Sequence, residues 1–418
     1  MYLCGILYSM SNQQYDAAAD SETADRGLSR RQFIGTVGGS VIAGAAGCLG
    51  SSNSNAFKIG AALSLSTQGW ETYGNTMLRA VRIAADQMQE RGVFGDREVS
   101  VITEDTQVDP QTTRNKVEKL TTQDDVDVVV GPVSSANRIP AAELFRENQT
   151  PGLYAVEYEG AVAEDYCNPW LFKSAEVPEQ QVEPFVPWLV DEYGSSFYLL
   201  GSDYTWPNEM NGQIQTVLEN QGGEVVGEEY AALGETDFSS IIPRIENADP
   251  DVLFMTLTGA SVPAIQEQML NFDVRGQWTD VGISHGQGLL QGAPAEAVED
   301  VVSCHSYMES LETDRNQQFV QAFRDRGTDV PITFLTGTTR VAMRLLEQAI
   351  ETEGDASADG IQAGLRGVSA KTVVGEVAIE TDQQATLPTY ASRVNGERQH
   401  VPVESFDAVQ PDPQCDSL

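Results

Sequence analysis

The chain has 418 residues, enough for two or three domains, and 41% hydrophobic content is ample for buried cores. Acidic residues outnumber basic ones 62 to 25, giving a formal net charge of −37, which excludes nucleic acid as a partner. Lysine is confined to Lys58, Lys116, Lys119, Lys173 and Lys371, and the acid is dispersed along the chain. That pattern fits a protein working in concentrated salt, where screening suppresses self-repulsion.

Residues 11–26 are polar and show no apolar period. Ser29-Arg30-Arg31-Gln32-Phe33 then precedes a glycine-rich apolar run that ends in Ala45-Ala46-Gly47-Cys48. Paired arginines, a weakly apolar stretch and a small-residue cleavage site describe a secretion signal. Ser-Arg-Arg-x-Phe resembles the twin-arginine export signal, with Arg30 and Arg31 as the pair. Ala-Ala-Gly-Cys resembles a lipobox, in which Cys48 is lipidated and anchors the mature chain to the extracellular face of the membrane. The run is shorter than the ~20 apolar residues of a membrane span. Outside the leader only Cys167, Cys304 and Cys415 remain, so at most one internal disulfide forms among them, and the sequence does not choose the pair.

Phe57 to Leu65 reads as a strand. Thr72 to Arg91 reads as a helix, because Met77, Val81, Ala84, Ala85 and Met88 share one face, and Gly92 and Gly95 end it. A strand at Val99–Thr103 and a helix over Pro110–Thr122 follow. Val128-Val129-Val130 is a β-branched run of the kind buried on both faces. Gly131 and Pro132 break it, and Ser134 and Ser135 stand where the N-cap of a helix running to Arg146 belongs. Gly152 to Val156 is a fourth strand. The alternation then restarts: helix Val182–Tyr193, strand Ser196–Gly201, helix Asn208–Asn220, strand Glu224–Tyr230, helix Phe238–Ala248, strand Asp251–Leu257, helix Val262–Phe272. Helices at Asp314–Arg326 and Thr333–Glu351 and β-like segments at Thr372–Ile379 and Tyr390–Val394 complete the pattern.

Repeated strand–helix units predict an α/β fold of two doubly wound parallel-sheet lobes joined by several hinge crossings. The expected division is a leader over 1–47 and a tether over 48–55. Lobe one takes 56–174 plus about 306–385, lobe two takes 175–305 plus about 386–405, and 406–418 form a polar tail. Ligands in such sheets sit outside the carboxyl ends of the strands. Three such ends carry suitable chemistry: Ser134 and Ser135; Tyr154-Ala155-Val156-Glu157-Tyr158-Glu159-Gly160; and Gly201-Ser202-Asp203-Tyr204-Thr205-Trp206-Pro207. Rings give flat walls with polar tips, and serines give directional hydrogen bonds, which together suit a small polar molecule.

Those motifs, with Gly223-Glu-Val-Val-Gly-Glu-Glu-Tyr230 and Leu233-Gly-Glu-Thr-Asp-Phe-Ser-Ser-Ile-Ile242, resemble the type I periplasmic solute-binding proteins of ABC transporters. The resemblance is to the branch that binds urea and short-chain amides, in a haloarchaeal form, and it extends from about Phe57 to Asn395. It implies a Venus-flytrap closure, and it implies ligand contacts from Ser134, Ser135, Tyr154, Val156, Glu157 and Tyr204. The loop carrying Thr258, Gly259 and Ser261 closes from lobe two. The implied partners are a small-molecule ligand and the subunits of an ABC permease. Glu157 stands where relatives carry glutamine or proline, and a carboxylate there accepts from an amide NH2 or pairs with an amino group. A branched-chain amino acid is therefore the rival ligand. Val133 replaces a common aromatic residue, and Trp70 is the candidate to replace the lost wall.

Gly282-Ile283-Ser284-His285-Gly286 matches the Gly-x-Ser-x-Gly elbow of α/β-hydrolases. A triad also needs an acid and a later histidine, and only His305 and His400 lie downstream, so the bland reading is a glycine-rich turn near the cleft. A cytoplasmic amide-sensing regulator conflicts with the export signal. No phosphate loop, dinucleotide fingerprint or metal-ligand spacing occurs, so the chain is read as a non-enzyme with no metal and no cofactor.

Overall fold

The computed structural model describes residues 55–156, 167–327, 330–380 and 382–411. The expected export signal at Arg30 and Arg31, the expected lipidation site at Cys48, and Glu157 all lie outside these residues. Elements run β1 (Phe57–Leu63), α1 (Glu71–Glu90), β2 (Val99–Asp105), α2 (Pro110–Thr122), β3 (Val128–Val130), α3 (Ser135–Glu147), β4 (Gly152–Tyr154) and β5 (Leu171–Lys173). The five strands form one parallel sheet in the order β2-β1-β3-β4-β5. The three residues of β3 are fully buried, as the unbroken valine run requires.

After α4 (Pro178–Tyr193) come β6 (Ser196–Ser202), α5 (Thr205–Asn220), β7 (Glu224–Ala231), α6 (Ile242–Ala248), β8 (Val252–Thr256) and α7 (Ser261–Asn271). Next are β9 (Thr279–Gly282), the short α8 (Gln287–Leu290) and α9 (Ala295–Val298), and β10 (Val302–His305). The chain then returns to the first lobe with α10 (Asp314–Arg324), α11 (Phe334–Glu353), α12 (Ala358–Leu365) and a small sheet of β11 (Ser369–Thr372), β12 (Gly375–Ile379) and β13 (Ala385–Thr386). It ends on β14 (Thr389–Val394) and β15 (His400–Phe406), which extend the second sheet to β15-β14-β10-β9-β8-β6-β7. The fold is thus α/β with parallel-sheet lobes. β14 and β15 pair antiparallel at one edge of the second sheet.

Three differences from the sequence reading have plain causes. The segment Thr372–Ile379 is not one strand but the hairpin β11–β12, because Gly375 turns the chain at φ +111°. His400–Phe406 form β15, an edge strand not picked out from the sequence within the second lobe, with Val401 and Val403 exposed and Phe406 reaching one residue into the expected polar tail. α5 begins three residues before the apolar period suggests, with Trp206 and Pro207 buried in its first turn.

Chain crossings between the lobes are tied to one another. The buried Glu176 carboxylate accepts from the Ser306 backbone N–H at 3.0 Å and from its hydroxyl at 2.6 Å. The Gln384 amide donates to Ala175 O at 2.8 Å, and the Gln180 amide donates to Ala385 O at 2.9 Å. Three polypeptide crossings therefore share one buried polar network. Cys167 takes part in a disulfide. Among the described residues no helix is long and apolar enough to cross a membrane.

Candidate ligand-binding site

A cavity of about 40 Å³ is lined by residues of both lobes. Lobe one supplies Trp70, Tyr73, Ser134, Ser135, Val156, Phe334 and Leu335, and lobe two supplies Tyr204, Trp206, Thr258, Gly259, Ser284 and Leu289. Topology explains the convergence. In the first sheet α1 carries the chain one way from β1, and α2 carries it back past β1 to β3. The carboxyl ends of β1 and β3 therefore open a gap, filled by Trp70 and Tyr73 on one side and Ser134 and Ser135 on the other. In the second sheet β6 and β8 make the same reversal and present Tyr204, Trp206, Thr258 and Gly259.

The β3–α3 turn is built tightly. Gly131 has φ +106°, and a Cβ there would lie 2.2 Å from Ala62 O, so only glycine fits. Ser134 occupies the N-cap position of α3 at φ +75°, yet its side chain makes no capping bond. The expected serine cap is therefore absent. The Ser135 hydroxyl is buried and meets no partner among the described residues. Trp206 Nε1–H is likewise buried without an acceptor among them. Two lining residues thus carry a buried donor, one hydroxyl and one N–H, with no partner among the described residues.

Helix ends reinforce these donors. Trp70, Ser134, Tyr204 and Ala260 are the N-cap residues of α1, α3, α5 and α7, and none carries a side-chain cap. Thr333 does cap α11, whose first residues also line the cavity, and elsewhere Asp109, Thr313 and Ser357 cap α2, α10 and α12, while α4 and α6 start without a side-chain cap. First-turn N–H groups lack intrahelical acceptors, and the helix dipole makes those ends positive. Acceptor oxygens are favoured in the cavity without any cationic side chain. No charged side chain lines it among the described residues.

The walls are rings. Trp70 and Tyr73 meet edge-on with centroids 6.5 Å apart, Tyr73 and Phe334 likewise at 5.8 Å, and Tyr204 lies 6.4 Å from Trp206. The lobes touch here. Tyr73 donates its hydroxyl to Ser284 O at 3.2 Å, and a Cβ on Gly259 would lie 3.3 Å from Trp70 Nε1. Thr258 approaches Ser202 Oγ from its backbone N–H at 3.2 Å.

Of the residues singled out from sequence, Ser134, Ser135, Val156, Tyr204, Thr258 and Gly259 line the cavity. Tyr154 does not: its ring is fully buried, edge-on to Phe145 at 6.0 Å, because its side chain leaves the strand toward α3. Ser261 does not either, being fully buried in the first turn of α7. Trp70 does form a wall. Tyr73, Trp206, Ser284, Leu289, Phe334 and Leu335 belong to the lining but were not picked out as contacts. Trp206 lay inside a quoted motif, whereas Phe334 and Leu335 arrive from a distant helix start with no local signal.

The Gly-x-Ser-x-Gly segment is a turn of this lining. The Ser284 hydroxyl donates to Leu257 O, and both His285 ring nitrogens are buried without partners among the described residues. His285, His305 and His400 cluster behind the cavity. His400 bonds Ser392 Oγ at 3.0 Å and His285 O at 2.8 Å, and His305 stacks on Phe334 with centroids 4.2 Å apart. Burial holds all three neutral. His285 is pushed down to about 3, with His400 adding repulsion, and His400 to about 4, while His305 lies well below its usual value.

Known proteins place this arrangement. A solute-binding protein of an ABC transporter from Rhodopseudomonas palustris BisB5, in complex with 3,4-dihydroxybenzoic acid, superposes with a TM-score of 0.77 at 20% identity. That match covers 85% of this chain and 98% of the other. The branched-chain amino acid binding protein LivJ from Streptococcus pneumoniae, in complex with isoleucine, gives 0.74 at 17% identity, covering 85% and 100%. A leucine-binding protein LivK from Thermotoga maritima gives 0.73 at 16% identity, covering 84% and 98%. The periplasmic binding protein family Peripla_BP_6 matches residues 56–399, most of the chain, and the chain belongs to that family.

Proposed function

We propose that this chain is the extracellular, lipid-anchored binding component of an ABC uptake transporter, and that it carries urea or a short-chain amide. It performs no reaction; its work is capture and delivery. The observation that carries the ligand reading is the lining itself: unengaged donors at Ser135 and Trp206, uncapped helix starts and ring walls, with no charged side chain among the described residues. An amide carbonyl accepts from Ser135, Trp206 and the α3 N-terminus, while its flat body lies against Trp70 and Phe334. An amino acid needs a partner for its ammonium group, and none of the described lining residues is a carboxylate. A second reading, an aromatic carboxylate, is favoured by the five rings and by helix ends that attract anionic oxygens.

Closure follows from the two-lobed lining. A ligand that touches both lobes stabilises the closed arrangement by its differential affinity for that state. Export through Arg30 and Arg31 and anchoring at Cys48 would hold the protein beside its permease.

Calorimetric titration in concentrated salt, with urea, acetamide, benzoate and leucine in parallel, tests this. Heat with urea or acetamide, lost in Ser135→Ala, is the expected result. Heat with benzoate alone moves the protein to the second reading. Heat with leucine alone overturns the uncharged-site argument and brings Glu157 forward as the ammonium partner.

A further inference from the structure

On the flank of the first lobe, sharing no lining residue with the interlobe cavity, is a cleft of about 270 Å³. Four arginines surround it: Arg91 where α1 ends, Arg315 on α10, and Arg340 and Arg344 on α11. Such a concentration is unexpected in a chain of net charge −37. The acids nearby do not balance it. Glu347 pairs with Arg91 and with Arg344 at 3.0 Å, Glu351 reaches Arg344 at 3.4 Å, and Glu90 lies exposed at the rim. Arg315 and Arg340 have no carboxylate partner among the described residues.

Arg340 is the informative group. It is 9% exposed, and its only hydrogen bond among the described residues runs from Nη2 to Gln87 Oε1 at 3.1 Å. Its Nη1 and the Nε of Arg344 are buried without acceptors among the described residues. Burial pulls the Arg340 guanidinium down to about 10; Glu347 opposes that, and Arg91, Arg344 and Arg315 add repulsion. A desolvated cation facing like charges is costly unless an anion completes it.

We propose that this cleft binds a small, multiply charged tetrahedral oxyanion of the phosphate or sulfate class. Guanidinium forks recognise such oxygens two at a time. Here they converge from three helices, which matches an anion whose oxygens point in several directions and not a flat single carboxylate. Arg340 forms the floor, Arg315 closes the exposed side, and the Gln318 and Gln87 amides complete the rim. The bound anion would tie the end of α1 to α10 and α11.

The test is titration of the purified protein with inorganic phosphate at constant ionic strength, sodium chloride making up the balance, with thermal midpoint and phosphate NMR line width as readouts. The expected result is a saturating midpoint rise of roughly 2–4 °C with line broadening. Both are lost in Arg340→Gln and weakened about tenfold in Arg315→Gln, a surface substitution that leaves the core intact. Solute binding in the interlobe cavity is unchanged in Arg315→Gln. Equal effects of phosphate and chloride at matched ionic strength overturn the proposal, as does a folded Arg315→Gln protein that titrates like the parent.

Discussion

The interlobe cavity and the arginine cleft on the flank solve related problems with opposite means. Both present donors to acceptor oxygens. In the cavity the donors are backbone N–H groups at uncapped helix starts, one hydroxyl and one indole, and no charged side chain lines it among the described residues. On the flank they are guanidinium groups in an open polar cleft. Fixed dipoles between rings need no counter-ion when empty and hold their geometry, which suits a site that must fill and release repeatedly. Uncompensated arginines are costly when empty, which suits an occupant that stays. The contrast predicts different salt responses: binding in the cavity changes little with ionic strength, and binding on the flank weakens as screening rises.

The largest expected effect comes from stopping closure. Gly69 has φ +80°, and a Cβ there would lie 2.8 Å from the Ala260 backbone nitrogen of the opposite lobe. Gly69→Val wedges the lobes apart and should lower solute affinity by about 100-fold, ~2.7 kcal/mol, in calorimetry. Phosphate binding on the flank should be unaffected. An affinity within threefold of the parent would mean that the lobes do not close through this contact.

Trp70→Ala comes next. It removes one ring wall and the contact with Gly259, and an affinity loss of about tenfold to thirtyfold is expected, ~1.4–2 kcal/mol. The loss should be the same in dilute and concentrated salt, since no ion pair is removed. A loss that appears only in dilute salt would contradict the uncharged character of the cavity.

The histidine cluster gives a smaller, pH-dependent effect. Folding keeps His285, His305 and His400 neutral, with pKa values below the unfolded 6.5. The unfolded chain therefore binds more protons as pH falls below 6.5. The stabilisation is complete above 6.5 and is lost progressively down toward about 3, by up to ~1.4 kcal/mol per pH unit for each histidine. Folding lowers Glu104 and Asp105 below ordinary values of 4.5 and 3.8, so they add little between pH 6.5 and 5, while burial raises Asp382 and works against the histidine slope. Denaturant midpoints should fall across that window, and His305→Phe should flatten the slope by about a third. A flat profile would mean that the histidines are hydrated.

What was legible in the sequence was what the chain specifies locally. The valine run of β3, the Gly131 break and the serines beyond it all mark a strand feeding a helix start, and alternation over hundreds of residues forces two parallel sheets. Trp70 was legible as a wall because its loop departs from the family pattern. Phe334 and Leu335 were not, because α11 begins some 180 residues after β4 and only the return crossing brings it to the cavity. The histidines were illegible for the same reason: His285, His305 and His400 lie on three separate segments, and only the packing of β10, β14 and β15 gathers them.

Tyr154 is the sharpest test of how far a motif alone can be followed. In sequence it stands with Val156 and Glu157 at a strand end, and resemblance makes it a ligand contact. In the structure β4 ends at Tyr154, whose ring packs against Phe145 beneath α3, while Val156 lies beyond the strand end, where the alternation of β4 no longer applies, and reaches the cavity. Tyr154→Phe keeps that ring and removes only the hydroxyl. Solute affinity should stay within about twofold, under ~0.5 kcal/mol, and any cost should appear in the denaturant midpoint instead. An affinity loss of tenfold without a change in stability would put the hydroxyl in the site after all, and would mean that the occupied cavity draws β4 out of the packing seen here.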